Sequence, residues 1–179
     1  SQHVKANRAG ISRSLGSADS IGVETMKSIV LTEEIIRQGS LILVNPTHPL
    51  QEKEDLNEDA LFPPHPDYPH IKLQKQSAYM LHALIHFLNG FQTIIPVSGY
   101  RTLAEQTHIY TKSLQEHGTS FTTRFVARPG CSEHQTGLAI DLAEAGPDID
   151  FIRPAFPRSG LCQTFRAMAA RYGFIEGYR

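Results

Sequence analysis

A ten-residue stretch in the C-terminal half combines a serine, a histidine and an aspartate. It runs from Ser132 to Asp141 and reads SEHQTGLAID. A polar turn carrying Ser132 and His134 leads into a predicted strand. Side chains on a strand alternate between two faces, so Asp141 shares its face with the small residues Gly137 and Ala139. Small neighbours leave room for an ion with its solvent, and histidine nitrogen and aspartate oxygen are ordinary zinc ligands. The pattern therefore makes His134 and Asp141 candidate zinc ligands.

This pair alone does not specify a metal site. A histidine in a turn and an aspartate at a strand end are commonly capping or solvated polar groups. A catalytic zinc ion normally takes three protein ligands and keeps one position for water. On spacing alone, a zinc site and a pair of structural polar groups therefore both stay open.

A second polar stretch, Ser98-Gly99-Tyr100-Arg101, lies at a predicted strand-to-helix junction. Backbone N–H groups at such a junction favour an anion, and the guanidinium of Arg101 can bind a carboxylate through two parallel hydrogen bonds. Ser98 and Gln106 could add polar contacts. The alternative is that Arg101 pairs with an acidic group of the protein and that Ser98 only forms the turn.

The elements around these motifs predict a small α+β fold, with an antiparallel or mixed sheet flanked by helices. Apolar residues at helical spacing predict helices at 71–90, 102–117 and 162–173. Strand-like runs lie at 41–44, 93–101 and 137–142. Such strands are too few and too irregularly spaced for a doubly wound sheet.

Residues that cap, end or interrupt regular elements refine these bounds. Thr102 and Glu105 have the spacing of a capping box, and Gly118 is expected to end that helix. Residues 45–70 are rich in proline, which regular elements tolerate poorly, and they predict a long surface segment. Residues 1–25 lack an apolar pattern and predict an N-terminal extension outside the core, which need not belong to the native protein. The folded domain is then expected at 26–179.

Composition bounds the class of protein. The chain has 179 residues, a net charge of -1, 40% apolar and 20% charged residues, which suits one globular domain. A near-neutral charge disfavours nucleic acid and anionic lipid as partners. No run reaches the roughly 18 to 20 apolar residues that span a bilayer. Cys131 and Cys162 are too few for a thiolate zinc site, and they either form one bridge or stay reduced.

Together the two motifs resemble the VanY and VanXY zinc peptidases, the D-alanyl-D-alanine carboxypeptidases of vancomycin resistance. The resemblance extends from Met26 to the C-terminus, and LVNPTHPL at 43–50 is closer to the VanXY branch. The matching text is PVSGYRTLAEQTHIY at 96–110, SEHQTGLAIDL at 132–142 and DFIRPAFPRSGLCQTFRAMAARYGF at 150–174.

The resemblance implies a zinc-dependent hydrolase of D-Ala-D-Ala termini in peptidoglycan precursors, as a carboxypeptidase, a dipeptidase or both, acting in glycopeptide resistance or cell-wall remodelling. His134 and Asp141 would bind the zinc ion, and Arg101 would hold the substrate and polarise its scissile carbonyl or its carboxylate. The substrate pocket would be lined by Ser98, Tyr100, Arg101, Gln106 and Ser132. The lack of a signal sequence favours the cytoplasm, or an extracytoplasmic site if a signal or anchor was removed.

The sequence departs from the family at one motif. The third zinc ligand and the general base of the family lie in a C-terminal E-P-W-H motif, and no E-x-x-H occurs in 165–179. We do not assign the base to Glu176, and we expect a two-ligand site to bind zinc weakly. His65, His70 and Glu133 are the next candidates for the missing groups. A cell-wall peptide-binding module with little metal, and an L,D-carboxypeptidase, remain alternatives.

Overall fold

A computed structural model of the protein describes residues 2–6, 50, 55–150 and 154–178. Its strands are β1 Gln2–Ala6, β2 Leu61–Phe62, β3 Leu73–Gln74, β4 Ile94–Ser98, β5 Ala139–Glu144 and β6 Phe174–Tyr178. Its α-helices are α1 Lys75–Phe87, α2 Leu103–Phe125 and α3 Gly160–Ala169. Short 3-10 helices lie at Glu58–Ala60, Glu133–Thr136 and Ala170–Tyr172. The strand predicted at 41–44 lies outside the described residues.

Four of the strands form one antiparallel sheet in the order β4-β5-β1-β6, while β2 and β3 pair separately. Helices α1 and α3 contribute apolar residues to a core against this sheet. This architecture confirms the predicted α+β class and shows that the sheet is antiparallel. The fully buried core residues include Leu81, Leu84, Ile85, Ile140, Leu142, Phe165 and Phe174.

Helix α1 follows from its apolar spacing. Ala78, Leu81, Leu84 and Ile85 recur at intervals of three, three and one, so they lie on one helical face, and none of them is exposed to solvent. The helix is shorter than predicted, because β3 takes the residues just before Lys75.

Helix α2 begins at the predicted capping box. The Thr102 hydroxyl accepts the Glu105 N–H at 3.1 Å, and the Glu105 carboxylate accepts the Thr102 N–H at 2.8 Å. Gly118 interrupts the helix with φ 76° and ψ 177°, as its conformational freedom allows. The chain then resumes a helix as far as Phe125, where the sequence predicted no helix.

Two expectations for the N-terminal part differ from the structure. Residues 2–6, predicted to lie outside the core, form β1 between β5 and β6. Backbone hydrogen bonds hold such a strand on both edges. These bonds form even where the side chains show no alternating apolar pattern. The proline-rich segment includes β2 and buries Leu61 and His65. Residues 7–25 lie outside the described residues.

Helix length and apolarity also bear on membrane insertion. None of the helices within the described ranges is long and apolar enough to cross a membrane.

Candidate active site

The turn between β4 and α2 is fixed by a close backbone approach. The Tyr100 N–H donates to the Lys72 carbonyl at 2.7 Å. A Cβ atom at position 99 would lie only 2.5 Å from the same carbonyl oxygen. Only Gly99 therefore lets the turn pass this close to the chain preceding β3. This contact fixes the turn that begins after Ser98, the last residue of β4, and contains Arg101.

The two motifs found in the sequence interlock through backbone groups. His134 lies in the 3-10 helix Glu133–Thr136, and its Nδ1 is 2.7 Å from the Gly99 carbonyl oxygen. In return, the His134 carbonyl accepts the Arg101 N–H at 3.2 Å. The role of the Gly99 carbonyl as the partner of His134 was not predicted from the sequence. The glycine in S-G-Y-R was the available signal, because glycine allows two backbone segments to approach closely.

The predicted strand at 137–142 begins later than expected. Gly137 has φ 68° and ends the 3-10 helix, so it does not share the β5 face with Ala139 and Asp141. A Cβ atom at this position would contact Leu56 Cδ1 at 2.9 Å and Gln74 Cγ at 3.0 Å. Gly137 is therefore needed for the turn that delivers His134.

His134 and Asp141 face each other in the interior. His134 Nε2 lies 3.2 Å from Asp141 Oδ2, and the residues are 1% and 7% exposed. A carbonyl oxygen only accepts hydrogen bonds, so His134 Nδ1 carries the proton toward Gly99. With Nδ1 donating to Gly99, His134 Nε2 faces the Asp141 carboxylate, and a ring nitrogen next to a carboxylate oxygen can bind a cation.

The spacing of these two atoms also suits a metal ion. Two ligands bonded at about 2.0–2.2 Å to one tetrahedral zinc ion lie about 3.3–3.5 Å apart. The 3.2 Å separation is close to this value. A ligand histidine commonly donates its other N–H to a backbone carbonyl, as His134 does here. His134 and Asp141 therefore have the spacing of two ligands of one zinc ion.

A cavity of about 490 Å³ lies along the turn that follows β4, and neither His134 nor Asp141 is among the residues that line it. Its wall brings together three of the predicted substrate-binding residues, Ser98, Tyr100 and Arg101, and adds His70, Glu105 and His108. Ser98 is also the strand partner of Asp141 between β4 and β5. The cavity therefore adjoins the candidate metal site through β4.

Gln106 and Ser132 do not line this cavity. Gln106 is 1% exposed, and its amide donates to the Ala127 carbonyl at 2.7 Å, which ties α2 to the following loop. Ser132 is 2% exposed and precedes the 3-10 helix of His134. Their contact with substrate stays a prediction.

The candidate His65 and the residue Glu176, to which we assigned no role, both have other partners in the structure. His65 accepts the Asp67 N–H at Nδ1, so its Nε2 donates to the Phe91 carbonyl at 2.9 Å. Both of its ring nitrogens are thus used. Glu176 pairs with Arg158 at 3.2 Å and Arg166 at 3.3 Å. Among the side chains that the structure describes, no three histidine, cysteine or acidic groups form a metal-sized cluster.

Burial raises the pKa of two titratable groups, one on the cavity wall and one in the apolar core. It raises the pKa of Tyr100, whose hydroxyl accepts the Leu56 N–H at 2.8 Å. Burial also raises the pKa of Cys162 to about 11, so this thiol stays protonated at neutral pH. Cys131 and Cys162 are both free cysteines. Of the two states left open by the sequence, a disulfide bridge or two reduced thiols, the structure has the second.

Comparison with known proteins places this geometry in a family. Residues 70–179 match the family described as VanY: D-alanyl-D-alanine carboxypeptidase. The bifunctional D-Ala-D-Ala dipeptidase and D-Ala-D-Ala carboxypeptidase VanXYC of Enterococcus gallinarum is 38% identical over 146 residues, 78% of this chain and 73% of that protein.

Two solved structures agree with this placement. The vancomycin-resistance D,D-dipeptidase VanXYg, in complex with a D-Ala-D-Ala phosphinate analog, superposes with a TM-score of 0.71 and 44% identity, over 79% of this chain and 55% of that chain. The LdcB LD-carboxypeptidase gives a TM-score of 0.59 and 26% identity, over 74% of this chain and 64% of its own. This chain thus spans little more than half of the VanXYg chain.

These matches confirm the resemblance found in the sequence and the peptidase fold that it implied. The family match covers more than half of the chain, and the relative from Enterococcus gallinarum is matched over most of its length. The chain belongs to the VanY family of D-alanyl-D-alanine carboxypeptidases.

Proposed function

We propose that this chain hydrolyses the bond between the two terminal D-alanines of peptidoglycan precursors or of the free dipeptide, using one zinc ion bound by His134 and Asp141. The observation that carries the proposal is the 3.2 Å approach of His134 Nε2 to Asp141 Oδ2 next to the Arg101 cavity. The names of VanXYC and VanXYg give those proteins activity on the same dipeptide unit. Such an activity would act in glycopeptide resistance or cell-wall remodelling.

Arg101 supplies the charge that this substrate requires. A D-Ala-D-Ala terminus ends in a carboxylate, and a guanidinium binds a carboxylate through two parallel hydrogen bonds. The cavity of about 490 Å³ has the size of a small-molecule site. Its acidic and basic lining, Glu105 and Arg101, suits a zwitterionic dipeptide. Arg101 would also share the negative charge that develops on the scissile carbonyl oxygen.

His134 is oriented before any ligand arrives. Its Nδ1–H donates to the Gly99 carbonyl at 2.7 Å, which directs Nε2 toward Asp141. A preorganised ring loses little freedom when it binds an ion. A bound zinc ion would polarise the scissile carbonyl and lower the pKa of a water molecule to about 7.

The test is release of D-alanine from three substrates by the zinc-supplemented chain. We expect release from the D-Ala-D-Ala dipeptide, from a pentapeptide ending in D-Ala-D-Ala, or from both, with loss of activity in His134→Ala. The ratio of the first two rates separates a dipeptidase from a carboxypeptidase. No release from either substrate would refute the proposal.

An L,D-carboxypeptidase is the second candidate, because the LdcB likeness covers 74% of this chain. The third substrate, a tetrapeptide whose terminal D-alanine follows an L-residue, distinguishes the two. Release from the tetrapeptide alone would favour this candidate. Binding of the pentapeptide without any release would instead favour a peptide-binding module.

A further inference from the structure

The solvent-exposed face of α1 carries two histidines that lie outside the candidate active site. His82 and His86 are four residues apart, so they are neighbours on the same side of the helix. Both residues are exposed. Among the nine histidines of the sequence, no other two are separated by three or four positions. This spacing therefore occurs once in the chain.

The two rings are close to the geometry of a shared metal ion. Their planes differ by 6° and their centres lie 6.3 Å apart. A metal ion bonded at about 2.0–2.1 Å to a ring nitrogen lies about 3.2 Å from the centre of that ring, so two rings that share an ion have centres at most about 6.4 Å apart. The observed separation is within this limit. Exposed side chains change rotamer within nanoseconds, so both rings can turn toward one ion without a change in the helix.

A hydrogen bond orients His82 as it does many metal ligands. Its Nδ1 lies 3.1 Å from the Pro64 carbonyl oxygen. A carbonyl oxygen only accepts hydrogen bonds, so Nδ1 of the neutral ring carries the proton and Nε2 has the lone pair. Ligand histidines commonly donate their other N–H to a backbone carbonyl, which fixes the ring and raises the basicity of the ligand nitrogen. His82 therefore presents Nε2 as the nitrogen that can bind a metal ion.

The surroundings of the two rings also favour a cation. His86 lies in the last turn of α1, and the C-terminal end of a helix dipole attracts positive charge. Within α1, the only lysine or arginine is Lys75, at the opposite end of the helix. The ring of Phe91 packs against both histidines, with its centre 4.9 Å from that of His82 and 6.3 Å from that of His86. This contact restricts the motion of both rings on one side.

We propose that His82 and His86 form a second metal site, which chelates one divalent transition-metal ion and binds Cu²⁺ most tightly. Imidazole nitrogen suits copper, nickel and zinc, and Cu²⁺ has the highest affinity in the series of divalent ions. Among the side chains that the structure describes, no third histidine, cysteine or acidic group completes a metal-sized cluster, so water fills the other coordination positions. Mg²⁺ and Ca²⁺ prefer oxygen ligands and should not bind here. The proposal does not depend on the proposed function.

Copper titration of the full chain, followed through the side-chain NMR signals of its histidines, tests this site. A paramagnetic Cu²⁺ ion broadens the signals of the rings that bind it, so each histidine reports on its own contact with the ion. We expect the His82 and His86 signals to broaden together, at a Cu²⁺ concentration that leaves the His117 signal sharp. His117 is an exposed histidine of α2 and serves as the internal control. Mg²⁺ should cause no change.

Two variants distinguish a chelate from two independent histidines. His86→Ala removes one ring, and the Cu²⁺ concentration that broadens the His82 signal should then rise about 100-fold, because in the wild type the second ring binds an ion that is already held beside it. The matched control combines His86→Ala with Ala83→His at another exposed position. It keeps the number of histidines but places the new ring next to His82 in sequence, where it does not face His82 on the helix. This variant should bind Cu²⁺ as weakly as His86→Ala.

Circular dichroism and thermal unfolding check that both variants remain folded, as expected for exposed positions. Broadening of the His82 signal in His86→Ala at the wild-type Cu²⁺ concentration would overturn the proposal. Equal copper binding by the wild type and the double variant would overturn it as well, because the spacing on the helix would then not matter. Zinc loss in His134→Ala tests the proposed function separately, since that variant retains both histidines of α1.

Discussion

The backbone and the side chain of Arg101 lie in different surroundings. Its backbone N–H donates to the His134 carbonyl at 3.2 Å, so the link between the two motifs does not depend on the guanidinium. The side chain lies on the cavity wall with Ser98 and Tyr100. A substitution at position 101 therefore leaves the backbone link in place and changes the wall of the cavity.

We expect Arg101→Ala to reduce kcat/KM on D-Ala-D-Ala at least about hundredfold, because one charge-stabilising donor commonly contributes that much. Arg101→Lys should recover only part of the loss, since an ammonium group keeps the charge but not the planar fork. The melting temperature should fall by a few degrees at most. Steady-state kinetics and thermal unfolding measure both effects.

Arg124→Ala is the control, because Arg124 is exposed near the end of α2. It should leave kcat/KM and the melting temperature unchanged. A large loss of stability in Arg101→Ala, with normal activity per folded molecule, would instead make Arg101 a partner in a structural ion pair.

At the scale of elements, the site depends on three segments that meet at Gly99. Strand β4 ends there, the segment before β3 passes within hydrogen-bonding distance of Tyr100, and the 3-10 helix of His134 donates to the Gly99 carbonyl. A shift in any one of these segments moves the other two. The orientation of His134 is therefore a property of the junction.

Gly99→Ala should disrupt this junction. The added methyl group would meet the Lys72 carbonyl at 2.5 Å, and a backbone atom cannot move away as a side-chain tip can. We expect a loss of about 1–3 kcal/mol in the free energy of unfolding, as for other overpacked sites. Zinc affinity should fall as well, because the Gly99 carbonyl would shift from His134 Nδ1.

Gly146→Ala is the matched control, since a methyl group there has nothing within 4 Å. Urea unfolding and zinc titration of both variants provide the comparison. Equal free energies of unfolding of the two alanine variants would show that the Lys72 backbone can move away from the added methyl group without loss of stability. Position 99 would then not control the site.

At the scale of the whole molecule, a zinc ion would join segments that are distant in sequence. His134 lies in a 3-10 helix and Asp141 on β5, and their register connects β5 to β4 and β1. A ligand that binds only the folded state stabilises it by mass action. Metal removal should therefore lower the stability of the entire sheet.

We expect EDTA to lower the melting temperature of the wild-type chain by about 5–10 °C. Zinc at about 100 times its dissociation constant contributes roughly 2.7 kcal/mol, and each kcal/mol shifts a domain of this size by about 2–4 °C. Differential scanning calorimetry with and without EDTA makes the measurement. His134→Ala should show no EDTA effect, and an EDTA-insensitive wild-type chain would contradict a zinc site.

The sequence by itself determined those features that depend on residues close together in the chain. The α+β class, the core face of α1 and the capping box of Thr102 and Glu105 all depend on neighbouring residues, and the structure confirms them. Gly118 interrupts its helix, as predicted from its type, but does not end it. The two motifs also identified the family, because a catalytic site retains particular residue types at particular spacings.

Only the tertiary structure decided how distant segments meet. The sequence placed Gly137 on a strand face, although its packing against Leu56 and Gln74 requires a turn there. It assigned residues 2–6 to an extension, although they form an interior strand whose residue His3 is paired with Asp141. Backbone pairing between strands leaves no periodic signal in either segment, because the hydrogen bonds join groups that every residue has.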